Sequence, residues 1–255
     1  MLQLTRLHQT FHPGTPSEVR ALSGLDLHIA PGAFVIVLGM NGSGKSTLMN
    51  AIAGSFIPDE GEVVLDRQEI THWPEHQRAG MIGRVFQNPF SGTAPDLSIL
   101  ENFALASRRG RSRGLEFALS RTLREEVAER VRGLNMKLEE RLDTPIGTLS
   151  GGQRQALTLL MATWIKPKLL LLDEHTAALD PKTAAQIIEI SCERIERDRL
   201  TTLMVTHSME QALELGDRLV MMHRGRIAYD FSREEKTGLS RTDLLRLFDQ
   251  ARACD

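Results

Sequence analysis

Residues 34–47 read FVIVLGMNGSGKST: five apolar residues, Phe34 to Leu38, run directly into Gly39-Met40-Asn41-Gly42-Ser43-Gly44-Lys45-Ser46-Thr47. The apolar run is continuous rather than alternating, the pattern of a strand covered on both faces. The segment from Gly39 onward fits G-x-x-x-x-G-K-[ST]. Gly39, Gly42 and Gly44 let the backbone turn tightly, so that successive N–H groups of the segment, Asn41, Ser43 and Thr47 among them, face a phosphate. A helix starting near Lys45 adds the partial positive charge of its N-terminus. Lys45 is then placed to reach β- and γ-phosphates, and Ser46 to ligand Mg²⁺. The order strand, loop, helix is what separates this segment from a chance glycine-rich turn.

Two further apolar runs end in chemistry. Leu169-Leu170-Leu171-Leu172 leads into Asp173-Glu174, and Thr202-Leu203-Met204-Val205-Thr206 leads into His207. Open parallel sheets bind ligands beyond the carboxyl ends of their strands, so the three runs predict one nucleotide-type site at one sheet edge. Asp173 is placed to hold Mg²⁺ through water, and Glu174 to accept a proton from an attacking water. Four leucines before two carboxylates mean little alone; behind a phosphate loop they mean much.

Composition narrows the class. The chain has 255 residues, 41% hydrophobic and 25% charged, which is a soluble globular composition. Lys+Arg of 31 against Asp+Glu of 33 gives a net charge of −2, so electrostatics offers no support for nucleic acid as a partner. Cys192 and Cys254 match no metal or redox spacing, as suits a reducing cytosol. Met1 to Arg6 holds no apolar signal core. No uninterrupted apolar run approaches the ~20 residues of a membrane span. The best stretch, Leu157 to Leu172, is broken by Lys166, Pro167 and Lys168.

The first residues, to about position 30, predict short strands around a turn at Pro13-Gly14-Thr15-Pro16. Residues 107–142 are rich in Arg and Glu, with Leu119, Leu123 and Val127 at helical spacing, and predict an inserted helical subdomain. After His207 the pattern predicts a helix from Met209 to Leu215 and a strand pair around Val220 and Ile227. An amphipathic end with Leu244, Leu245, Leu247 and Phe248 closes the chain. Arg108, Arg109, Arg111 and Arg113 form a basic cluster that either meets a membrane partner or lipid headgroups, or joins Glu116, Glu125, Glu126 and Glu129 in a solvated mixed-charge face. Phe90 to Pro95 could line a docking groove, on position alone.

LSGGQ, Leu149 to Gln153, running on into Arg154-Gln155, resembles the signature sequence of ATP-binding cassette (ABC) ATPases. With it come Gln87 in VFQNP, Ala177-Ala178-Leu179-Asp180 resembling the D-loop, and His207 resembling the switch histidine. The resemblance implies an α/β fold with a parallel, RecA-like P-loop NTPase core, an N-terminal antiparallel β subdomain and an inserted helical signature subdomain. It implies one domain over 1–255, with 1–88 and 165–255 as core and β subdomain, and about 89–164 as Q-loop and helical part. It also implies a head-to-tail homodimer, in which Ser150, Gly151, Gly152 and Gln153 of one copy close over ATP on the phosphate loop of the other. Gln87 would then sense Mg²⁺ and the attacking water and face a membrane partner. His207 would contact the γ-phosphate, and Asp180 would couple the two sites. An aromatic near the N-terminus stacks on adenine in such proteins; Phe11 is the first candidate and His12 the second. One departure is plain: His175 follows Glu174 where the family commonly has Pro, and either shapes the loop or adds a titrating group near the γ-phosphate.

These readings predict an ATPase that energises a bacterial ABC transporter from the cytoplasmic face of the plasma membrane. Its partners would be a second copy of itself, integral permease subunits and an extracytoplasmic solute-binding protein, with no nucleic acid. A short cassette resembles importer subunits for a small organic solute such as an amino acid. EVRALSGLDLHI, residues 18–29, resembles efflux and lipoprotein-release cassettes and keeps export as the alternative. A soluble ABC ATPase of DNA repair or translation would carry long coiled-coil insertions or a second cassette, and a plain P-loop kinase leaves LSGGQ unexplained.

Overall fold

The computed structural model describes residues 1–110 and 119–253. Arg111, Arg113 and Glu116 of the mixed-charge stretch, and Cys254, lie outside the described residues. Chain contacts divide the protein into two compact units, Met1–Arg78 with Leu200–Asp255, and Ala79–Arg199.

The first unit opens with β1 (Leu2–Phe11) and β2 (Val19–Ile29), paired antiparallel from Leu2↔Ile29 to Phe11↔Val19. They are long strands of 10 and 11 residues, not the short ones predicted. The alternation that buries Leu2, Leu4 and Leu7 slips at Arg6 (φ +47), where the register with β2 shifts, so one strand reads as two fragments. β4 (Glu60–Leu65) pairs with the other edge of β1, and β5 (Gln68–Glu69) completes the order β2-β1-β4-β5. The predicted run becomes β3 (Phe34–Gly39), buried at every residue. It lies between β8 (Thr202–Thr206) and β9 (Arg218–His223), parallel to both, with Leu38 opposite Thr206 and Met221. Antiparallel β10 (Arg226–Phe231) edges β9.

From β3 the chain enters α1 (Lys45–Ala53), which buries Leu48, Met49, Ala51 and Ile52. Its far end is held by Arg78 of α2 (Glu75–Arg78), a side chain with 0% exposure. Arg78 donates to Ala51 O (2.7 Å), Ile52 O (2.8 Å), Thr71 O (2.8 Å) and Trp73 O (2.8 Å), satisfying carbonyls that a helix end leaves orphaned. Burial pushes its pKa down to about 10. The unit ends with α7 (Met209–Glu214), α8 (Arg233–Thr237) and α9 (Arg241–Ala253). In α9, Leu244 and Phe248 are buried one turn apart while Leu245 is exposed.

The second unit pairs β6 (Ile82–Val85) in parallel with β7 (Leu169–Asp173), the second predicted run. Around it lie α3 (Ile99–Ser107), α4 (Arg121–Arg132), α5 (Gly151–Ala162) and α6 (Pro181–Asp198). Phe103, Val127, Val131, Leu138, Leu157 and Ile187 are among the residues of its core, and Leu123 packs against them. Leu119, read as part of the same stripe, precedes the N-cap Ser120 and is exposed. Arg109 is likewise no free surface cation. It donates to Ala162 O (2.8 Å) and Ile165 O (3.2 Å) at the C-terminal end of α5, and burial lowers its pKa. The helical stretch is there, but its basic residues are partly spent on helix ends.

Candidate functional site

The phosphate loop is shaped by steric exclusion. Gly42 (φ +78) and Gly44 (φ +100) sit where side chains are strained. A Cβ on Gly44 would stand 2.4 Å from Ala21 O, and one on Gly39 would stand 2.4 Å from Ser43 Oγ and 2.9 Å from Met222 O. Ser43 N–H donates to Met40 O (3.1 Å), and Leu48 N–H to Gly44 O (2.8 Å) begins the helix. The N-cap of α1 is Gly44, with no side-chain cap and no acidic residue in the first turn. Its leading N–H groups are therefore not engaged by a capping side chain, which suits an external anion. Lys45 is buried, and its ammonium donates to Gly39 O (2.7 Å) and Met40 O (3.0 Å), which hold it against the loop. Asn41 and Ser46 are exposed; Thr47 is half-buried.

His207 shares the carboxyl edge with this loop, because the parallel strands β3 and β8 end side by side, with Thr206 opposite Leu38 and Gly39 one residue further on. Thr206 Oγ1 donates to Gln211 Oε1 (2.7 Å) and accepts from Ser208 N–H (3.0 Å), fixing the bend that exposes His207. Phe11 is 37% exposed, and its ring meets Phe56 edge-on, with centroids 5.8 Å apart. Phe56 escaped the sequence reading: it follows the C-cap of α1, and no periodic pattern marks it. His12 is exposed with φ +52.

The second unit brings other predicted residues together. Asp173 Oδ2 accepts from Arg84 Nη2 (3.1 Å), both side chains largely buried. Arg84, unremarked in the sequence, also lies 4.5 Å from the Phe86 ring. Glu174 adopts φ +41, and its Oε2 accepts from Gln87 Nε2 at 3.4 Å. His175 is 1% exposed, with Nε2 3.1 Å from Ser191 Oγ, and burial pushes its pKa down to about 4. It is neutral at cellular pH, so of the two expectations for this residue the geometry favours the shaping of the loop. Asp180 caps α6, where hydrogen bonds from the Thr183 side chain and backbone hold its carboxyl below the usual range.

The signature residues open α5. Ser150 Oγ accepts from Gln153 N–H (3.3 Å), and Gln153 Oε1 accepts from Ser150 N–H (3.2 Å), a reciprocal capping box. Gly152 packs closely on α6: a Cβ there would stand 2.1 Å from Thr183 Cγ2 and require that side chain to turn away. The two residues beyond the signature grip the segment around Gln87. Arg154 donates to Ile146, Gly147 and Leu149 carbonyls and lies 3.5 Å from the Phe90 ring, while Gln155 Nε2 donates to Phe86 O (3.2 Å).

Among the described residues no group of three or more His, Cys, Asp or Glu could hold a metal. Ser46 in the first unit and Asp173 in the second each carry a hard oxygen donor of the type Mg²⁺ prefers, and each alone suits an ion that takes its other ligands from phosphates and water.

The ABC transporter family profile matches residues 22–177. The chain is 40% identical over 253 residues to the tyrosine transport ATP-binding protein of Clostridioides difficile (strain R20291), covering 98% of this chain and 100% of that one. It is 33% identical over 232 residues to the lipoprotein-releasing system ATP-binding protein of Ruegeria pomeroyi (strain ATCC 700808 / DSM 15171 / DSS-3), covering 89% and 96%. Among solved structures it resembles the dimeric post-hydrolysis state of an ATP-binding cassette bound to ADP and Pi. The TM-score there is 0.78 at 29% identity, over 91% of this chain and 99% of that one.

Proposed function

This chain belongs to the ABC transporter family, as an ATP-binding subunit with the ATPase fold, and we propose that it energises import of a small organic solute, amino acids first. The carrying observation is the near full-length similarity to a tyrosine transport ATP-binding protein. Among the described residues no helix is long and apolar enough to cross a membrane, so the translocation path belongs to partner permease subunits. An extracytoplasmic solute-binding protein completes such a system. The similarity to a lipoprotein-releasing ATP-binding protein supports export as the second reading.

In the proposed cycle, Lys45 and the N–H groups of Gly42 to Thr47 receive the phosphates of ATP, with adenine against Phe11. Ser46 and Asp173 would hold Mg²⁺, which would supply charge neutralisation on the phosphate oxygens. Ser150 to Gln153 of a second copy close over the same nucleotide, and Asp180 couples the two sites. Glu174 accepts the proton of the attacking water, and Gln87, within reach of its carboxylate, helps orient that water and passes closure toward the permease. Charge developing on the γ-phosphate falls on Lys45 and His207.

Tagged Glu174→Gln, loaded with Mg·ATP in gently solubilised native membranes, tests this reading. Retained ATP, lost turnover and co-purification of a polytopic membrane protein encoded beside a solute-binding protein are expected. Recovery with an export permease moves the assignment to the second reading. Recovery with ribosomal or DNA-repair proteins alone removes the transporter.

A further inference from the structure

We propose that His175 is a positioning residue for Glu174, acting through a hydrogen bond from its Nε2 to Ser191 on α6. The inference rests on the reading of Glu174 as the proton acceptor. Glu174 occupies the left-handed region at φ +41, which a residue with a side chain holds only where its surroundings over-determine it. Its carbonyl accepts from Ala177 N–H (2.9 Å), and Thr176 O accepts from Leu179 N–H (3.2 Å), so the connection from Glu174 to Asp180 is a sequence of tight turns. At one end they follow directly from β7, and at the other Asp180 caps α6 at Thr183 N–H.

His175 adds a tether from the start of these turns to the middle of α6. Its ring is buried, and Nε2 lies 3.1 Å from Ser191 Oγ in the middle of α6. Ser191 spends its one hydroxyl hydrogen on Ile187 O (2.7 Å), so its oxygen can only accept. The ring must therefore carry its proton on Nε2 and donate, leaving the lone pair on Nδ1, which has no hydrogen-bond partner among the described residues. The bond has one direction and one tautomer. A proline at this position would restrict φ covalently; here a side-chain tether to α6 holds the same backbone. The residue next to the base is thus fixed to the helix that begins with Asp180, and the carboxylate of Glu174 is aimed by α6.

Phosphate release against ATP concentration, with thermal melting alongside, tests the tether. Ser191→Ala removes the acceptor alone, and His175→Ala removes the donor. Each is expected to lower kcat about 5- to 20-fold, the effect of one lost hydrogen bond on a placed group, with KM for ATP within twofold. His175→Gln, which keeps an N–H of similar reach, and Ser191→Thr, which keeps the hydroxyl, should each restore most of kcat. A folded Ser191→Ala with wild-type kcat would overturn the tether. Should Ser191→Ala melt far below wild type, equal kcat in His175→Gln and His175→Ala would overturn it instead. Glu174→Gln separates the two levels: normal turnover in that variant sinks the base assignment itself, whereas an inactive Glu174→Gln beside a normal Ser191→Ala sinks only the tether.

Discussion

The two helix N-termini assigned to phosphates are built in opposite ways. α1 starts on Gly44, with no side chain over its first donors, whereas α5 starts on Ser150 and closes a capping box with Gln153. Both ends carry the partial positive charge of a helix. The first keeps its donors for an external anion; the second spends two of its own on itself. With Gly44 in place of a Ser or Asp, the missing cap costs the helix only a few tenths of a kcal/mol, and at its other end Arg78 takes up the Ala51 and Ile52 carbonyls. One cradle is therefore preorganised and the other conditional. Within the proposed dimer, nucleotide held by one copy must displace Gln153 from Ser150 on the other before α5 contributes fully.

Substitutions at the two helix starts put this contrast at risk. Lys45→Ala takes the fixed cation from the open cradle and should cut phosphate release by about 10³-fold, in the upper range for a charged group at a developing anion. Gly44→Ser puts a would-be cap on α1; strain at φ +100 and the clash with Ala21 O should lower ATP affinity about 100-fold and depress the melting temperature. Wild-type binding in that variant would show that openness at α1 is irrelevant. Ser150→Ala removes the cap of α5, costing about 1 kcal/mol in denaturant unfolding and roughly tenfold in hydrolysis. Gln153→Ala opens only the reciprocal half of the box and should cost a few tenths of a kcal/mol in unfolding, roughly one weak exposed hydrogen bond. Because Gln153 is also among the residues proposed to close over the nucleotide, its hydrolysis should fall by about threefold, less than in Ser150→Ala. A loss as large as that of Ser150→Ala would erase the idea of a displaceable cap.

What the sequence disclosed was chemistry that needs fixed local spacing. Gly39 and Gly44 are legible because the loop tolerates no Cβ where Ala21 O, Ser43 and Met222 O crowd it, and Gly42 because its φ of +78 strains any side chain. The runs ending at Gly39, Asp173 and Thr206 are legible because strands buried on both faces have little choice of residue. What stayed hidden depends on partners distant in the chain. Arg84 meets Asp173 only because β6 lies parallel to β7, and nothing in Ile82-Gly83-Arg84-Val85 announces that neighbour. The grip of Arg154 on Phe90 and of Gln155 on Phe86 O likewise joins segments more than sixty residues apart in the chain. Arg109 misled because charge alone cannot say whether water or the end of a buried helix receives it. The left-handed Arg6 misled by breaking the alternation of a strand that the bulge lets continue.

The division of the chain also sets an order of birth. The unit holding Arg84, Asp173 and Glu174 is one unbroken stretch, whereas the unit holding Lys45 is made of two pieces. On the ribosome, β6 and β7 are both available once residue 173 has emerged. β3 waits for residues 202–223 to supply its two parallel neighbours. During that interval the apolar run Phe34 to Leu38, buried in the finished fold, lacks its parallel neighbours. The unit with the proposed proton acceptor is therefore fully synthesised before the unit holding Lys45, whose β3 lacks its parallel neighbours until synthesis has passed residue 223.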